Sequence, residues 1–313
     1  MLCQTSTIVV GAGFTPPVPI EVAPGEVVTI FVQGVGANLR QPVLASGPDL
    51  PTTLAGVSVS LQQSVSPQGP IPVPLLEVFP IKTCTSAQLT GCGFLTGITL
   101  QIPFEMGVFA GLGSNVAQLI VDQSGANGAA IELLPQVDKI QVSREGDTIT
   151  TAMQAPSAAR GIVTHADGCR VTNVAPAKPG ETLVLGAVGL GNTTLALASG
   201  KATPASAPSA PVVLAFNYAP NADPRSLAEP GRPPFWAECL VQSSGCDPTP
   251  GQQASFQRAD PGFCGLYQVN IVVPTPPAGL APCNDAVLSN LTVSNRRIGS
   301  FDGAGICVAV APQ

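Results

Sequence analysis

The sequence predicts an all-β chain of two tandem β-sandwiches, on three observations. Gly and Pro number 33 each in 313 residues, a density of turn formers that interrupts helices and suits many short strands. Short apolar runs, alternating or nearly continuous, recur between those turns. One stretch also occurs twice: Pro24-Gly25-Glu26-Val27-Val28-Thr29-Ile30 leads to Gly34-Val35-Gly36, and Pro179-Gly180-Glu181-Thr182-Leu183-Val184-Leu185 leads to Gly189-Leu190-Gly191. The offset is 155 at both ends (179 minus 24, 191 minus 36), which marks two related units in series. A chain of this length has room for two cores, and the expected extents are residues 1–150 and 151–313.

The elements follow in order. Thr5-Ser6-Thr7-Ile8-Val9-Val10 is β-prone and reads as the first strand of its own sandwich, with donation to another chain as the alternative. Pro24 and Pro179 suit the second position of a type II turn, and Gly25 and Gly180 supply the positive φ required next. Strands over 27–32 and 182–188 come after these turns, apolar on both faces. Gly56-Val57-Ser58-Val59-Ser60-Leu61 alternates strictly, with 212–218 as its counterpart. The short run Pro74 to Pro80 is bounded by prolines, as a strand at a sheet edge is.

A second repeated phrase aligns Gly97-Ile98-Thr99-Leu100-Gln101-Ile102-Pro103 with Gln268-Val269-Asn270-Ile271-Val272-Val273-Pro274 at an offset of 171. The second unit therefore carries 16 more residues between the two phrases (171 minus 155). Each unit should close with a hairpin, 116–121 returning to 131–134 and 288–293 returning to 306–310. Residues 143–160 read as the linker, with its end as an alternative first strand of the second unit, and 200–211 as a loop of polyproline character. The stretch 219–263 lacks periodicity and is expected to be stapled by disulfides.

Composition excludes several classes. Net charge is −6 with only 13 Lys and Arg and no basic stripe, so nucleic acid is not an expected partner. No run of 18 apolar residues occurs, so no membrane-spanning segment is expected. The nine cysteines form no CxxC pair and read as disulfide formers, which implies an extracellular or cell-surface location. Cys84 with Cys92, Cys239 with Cys246, and Cys283 with Cys307 are the local candidates, and Cys264 competes for several of them. The odd number leaves one over, and Cys3 or Cys169 is the expected free or intermolecular thiol. The first residues show no secretory leader, so export is expected to depend on a removed leader or on a longer chain.

Chemistry-bearing residues are sparse. His165, Asp167 and Cys169 alternate along one segment and imitate a nucleophile set or a metal site, but Asp167-Gly168 is a hairpin signal and a polar turn is the reading preferred. Phe235-Trp236 holds the sole tryptophan, a candidate ligand contact if exposed and a packing anchor if buried. No catalytic residues, metal or cofactor are expected, and the chain is read as non-enzymatic.

Four phrases taken together resemble the uncharacterised C-terminal domain family of exported proteins in Solibacter and other acidobacteria. They are Ala23 to Phe31 with Gly34-Val35-Gly36, Leu54-Ala55-Gly56-Val57-Ser58-Val59, Pro74-Leu75-Leu76, and Gly265-Leu266-Tyr267-Gln268-Val269-Asn270-Ile271-Val272-Val273-Pro274. The resemblance implies tandem immunoglobulin-like (Ig-like) β-sandwich domains at the ends of large exported proteins, without established activity. The many cysteines and the 219–263 insertion depart from that pattern. The expected function is a structural or adhesive module at the cell surface, with protein partners or self-association. The alternatives are a filament subunit joined by strand donation and a polysaccharide-binding or polysaccharide-degrading protein.

Overall fold

The computed structural model describes residues 13–14, 19–36, 38–47, 49–63, 69–82, 94–108, 116–124, 126–144, 161–193, 196–202, 212–222, 266–295 and 300–310. Among them every helix or strand assigned is a strand. In the first unit, β3 (Val27–Gln33) pairs antiparallel with β9 (Phe94–Gln101), and β9 with β8 (Leu75–Lys82). Short β1 (Gly13–Phe14) runs parallel to β3, and β4 (Val43–Leu44) borders β8. The facing sheet places β10 (Ala117–Gln123) between β11 (Ala126–Pro135) and β6 (Val57–Gln63). There β2 (Ile20–Val22) runs parallel to β11, and β5 (Thr53–Leu54) and β7 (Ile71–Pro72) pair with β6.

Sequence alternation produces the core between these sheets. In β6, Val57, Val59 and Leu61 are buried while Ser58 and Ser60 are half-exposed, as a two-residue period requires. They meet Ile30, Ile98 and Leu100 from the other sheet, and each such side chain contributes about 1.5–3 kcal/mol by leaving water. Strands β3, β6, β8, β9, β10 and β11 fall, in chain order, into the first, second, first, first, second and second sheet. That is the Ig arrangement, strands B, E and D packed on C, F and G.

The second unit repeats the plan. β14 (Thr182–Val188) pairs with β16 (Leu266–Val272) on one edge, while β12 (Gln141–Val142) and β13 (Val163–His165) lie end to end along the other. β17 (Ser289–Asn295) lies between β15 (Val212–Asn217) and β18 (Phe301–Ile306). Leu183, Leu185 and Ile271 pack against Phe216, Leu291 and Val293. The repeat holds to the level of register: the facing pair Val27 and Gln101 becomes Thr182 and Val272. These are the offsets of 155 and 171 read from the sequence (182 minus 27, 272 minus 101). Both turns close as read, with Glu26 N donating to Ala23 O and Glu181 N to Lys178 O, and with φ of 75° at Gly25 and 78° at Gly180.

Two readings are corrected. Ile140 and Val142 belong to the second core and β12 to its sheet, so the second unit begins before residue 151 and not within a linker over 143–160. Ser143 and Arg144 made that stretch look solvated, but Arg144 bonds the Asp302 carboxylate and its Nε donates to Gly303 O at 2.8 Å. The closing strand of the second unit is β18, upstream of the expected 306–310. Gly303, Ala304 and Gly305 are buried yet too small to register as an apolar run, and Val308 makes only an isolated bridge to Ala177.

Candidate functional site: the junction between the sandwiches

The residues that the described structure draws together most closely, outside the two cores, join one unit to the other. On the outward face of the first sheet, Val27 and Leu76 meet Val188 at the end of β14, with Leu50 against them. This contact covers Val27 on the outward face of β3. Gln136 N donates to Val22 O, and Lys139 N to Gly189 O, each at 2.8 Å, so the connecting segment is fastened at both ends. Gly189 and Gly191 have φ of 72° and 76°. A Cβ there would lie 1.8 Å from Lys139 O and 2.1 Å from Val137 O respectively. Only glycine admits that approach.

The loop leaving β14 then crosses the first unit. Gly200 N donates to Gln101 Oε1 at 2.6 Å, and Leu50 N to Gly200 O at 2.7 Å. Ser199 Oγ accepts from Phe104 N at 2.8 Å and donates to the Glu105 carboxylate. Lys201 pairs with Asp49 at 2.7 Å, but both side chains are more than half exposed, and such pairs stabilise little.

Glu26 lies beneath this contact, 1% exposed. Its Oε2 accepts from Ala23 N at 2.8 Å, and its Cδ is 3.4 Å from the position of a Cβ on Gly189. Burial pushes its pKa up to about 8, against the opposing pull of the Ala23 amide and Lys139, with Glu21 adding a small rise. Burial thus biases the Glu26 carboxyl towards its neutral, protonated form.

Glu181, the counterpart at offset 155 (181 minus 26), makes the same backward bond, from Lys178 N at 2.9 Å. Its other oxygen meets His165 Nδ1 at 2.6 Å, while His165 Nε2 lies 3.1 Å from Ala175 O. Two acceptors facing both ring nitrogens favour the imidazolium. Burial lowers the His165 pKa, but the Glu181 and Ala175 bonds and the charges of Glu181 and Asp167 outweigh it and the net shift is upward. Burial likewise raises the Glu181 pKa, yet the Lys178 amide and His165 bring it below the ordinary value.

His165, Asp167 and Cys169 are not brought to one reactive point. Asp167 Oδ1 accepts from Cys169 N at 2.9 Å, the bond of a polar turn. Cys169 is disulfide-bonded, which corrects the expectation of a free thiol there. Cys283 and Cys307 are bonded to each other with Cα atoms 5.4 Å apart, tying the loop before β17 to the residue after β18. Beside them is a cavity of about 10 Å³ lined by Tyr218, Leu280 and Val287 among others, room for about one water. Cys3, Cys84, Cys92, Cys239, Cys246, Cys264, Phe235, Trp236 and the segment holding Thr5, Thr7, Ile8, Val9 and Val10 lie outside the described residues. Among the described residues no cluster of three or more His, Cys, Asp or Glu side chains is placed to hold a metal, and no helix is long and apolar enough to cross a membrane.

No family model and no curated protein matches the chain. Among solved structures, a chimeric titin Z1Z2–Z1Z2 tandem functionalised with a GRGDS peptide from fibronectin is 14% identical, with 93% of this chain and 95% of that one covered, at a TM-score of 0.18. The titin domains Z1Z2 in complex with telethonin are 13% identical over 99% and 98% of the two chains, at a TM-score of 0.15. At such scores the architecture rests on the sheets themselves, and they define a tandem of Ig-like β-sandwiches.

Proposed function

We propose that this protein is a non-enzymatic structural or adhesive module that acts outside the cell or on its surface. The observation that carries the reading is the junction: the loop after β14 bonds Leu50, Gln101 and Phe104 of the first unit, and Val188 packs on Val27 and Leu76. Fixed geometry between successive domains suits a spacer or presenting arm. The disulfide between Cys283 and Cys307 and the bonded Cys169 agree with an oxidising compartment. The test is antibody labelling of intact source cells, with and without protease shaving. Surface signal lost on shaving supports the module; protein that is protected until the cells are lysed contradicts it.

A further inference from the structure

The buried Glu26 carboxyl lies directly under the backbone that joins the units, and this arrangement does more than fasten them. Gly189 covers it, and Lys139, whose amide is bonded to Gly189 O at 2.8 Å, carries the cation that faces it. That cation is already engaged by the Glu21 carboxylate in a half-exposed pair. Around Glu26 the charged groups are thus Lys139 from the connecting segment and Glu21 from β2, while the loop after β14 presents the uncharged Gly189, Leu190 and Gly191. Beyond the Ala23 amide it already accepts from, a negative charge on Glu26 is compensated by drawing the Lys139 cation towards it or by lifting the Gly189 backbone so that water enters. Both routes disturb the Lys139–Gly189 contact, where the connecting segment meets the second unit over the first unit's Glu26. Glu181 makes the identical backward bond on its own turn at the protein surface, so the covering by the second unit distinguishes Glu26.

We propose that Glu26 is a pH-sensitive latch between the two sandwiches, closed while its carboxyl holds a proton and released when that proton is lost. This reading rests on the junction geometry and is independent of where the protein acts.

One proton is coupled to opening. The opening equilibrium therefore rises by up to ten-fold per pH unit between the ordinary carboxylate value of 4.5 and about 8, and levels off above.

The test is hydrogen exchange of the full chain, followed at the Leu50 and Phe104 amides, which bond across the junction, and corrected for intrinsic rates. Wild-type protection should fall by up to ten-fold per unit from pH 5 to 8 and then flatten, while Glu26→Gln abolishes the slope and Glu181→Gln preserves it. The same slope in Glu26→Gln, or none in the wild type, overturns the proposal. Should Glu26→Gln not fold, Gly189→Ala supplies a second readout, because its clash with Lys139 O opens the covering backbone while the carboxyl group itself is kept. The NMR titration of Glu26 should then move from about 8 towards the usual carboxylate range, and an unmoved titration contradicts the latch.

Discussion

Glycines that share a positive φ are not equivalent, because what lies beside each one differs. A Cβ on Gly180 would meet nothing within 4 Å, whereas one on Gly189 would meet the Lys139 carbonyl. Gly180→Ala is therefore expected to cost about 1–2 kcal/mol from backbone conformation alone. Gly189→Ala adds a clash against backbone and should cost about 2–4 kcal/mol, with denaturant midpoints as the measure. The His165 and Glu181 pair adds a pH term of known sign. The folded pKa of His165 lies above its ordinary 6.5, so its stabilisation is complete below 6.5 and is lost as pH rises through the folded value. Glu181 is shifted down from 4.5, so its share is complete above 4.5 and is lost on acidification. His165→Ala should accordingly destabilise by about 1–2 kcal/mol at pH 6 and by less at pH 9, and an equal loss at both pH values would contradict the ion pair.

At the scale of elements, much was legible. The two repeated phrases fall on β3 with β9 and on β14 with β16, and their offsets carry through to facing residues, because strand registry preserves spacing. Val57, Val59 and Leu61 announced β6 by alternation alone. What escaped had physical reasons. β12 is two residues, Gln141 and Val142, followed by polar Ser143 and Arg144, and it is a strand only because the edge of β14 is there to receive it. β18 brings glycine and alanine into the core ahead of Ile306, and those small residues leave no hydrophobic signature. The junction is half visible: Gly189-Leu190-Gly191 stands out as a repeat, but a linear pattern does not show that the Lys139 carbonyl would lie against Gly189. Nor does it separate Glu26 from Glu181, which differ in what covers them. Leu185, fully buried on β14, tests the second core: Leu185→Ala should cost about 2–5 kcal/mol, read as a shift in the unfolding transition of that unit.

For the whole molecule, the two copies of the repeat differ where it matters for assembly. At the junction Val27 and Val188 are buried. Their counterparts at offset 155 are Thr182 and Gln33 (27 plus 155, 188 minus 155), polar and exposed. Polar faces at the free positions oppose end-to-end propagation of the same contact, as capping surfaces do in repeat proteins. The protein is expected to sediment as a monomer under non-reducing conditions across concentration, and a growing series of oligomers would favour the filament alternative. The central claim is that the two sandwiches are held as one body, and residual dipolar couplings test it most directly. Amides of β3, β9 and β10 and those of β14, β16 and β17 would be measured together at pH 6. One alignment tensor fitting both sets is the predicted result; two tensors of different magnitude would show units that reorient freely and would contradict it.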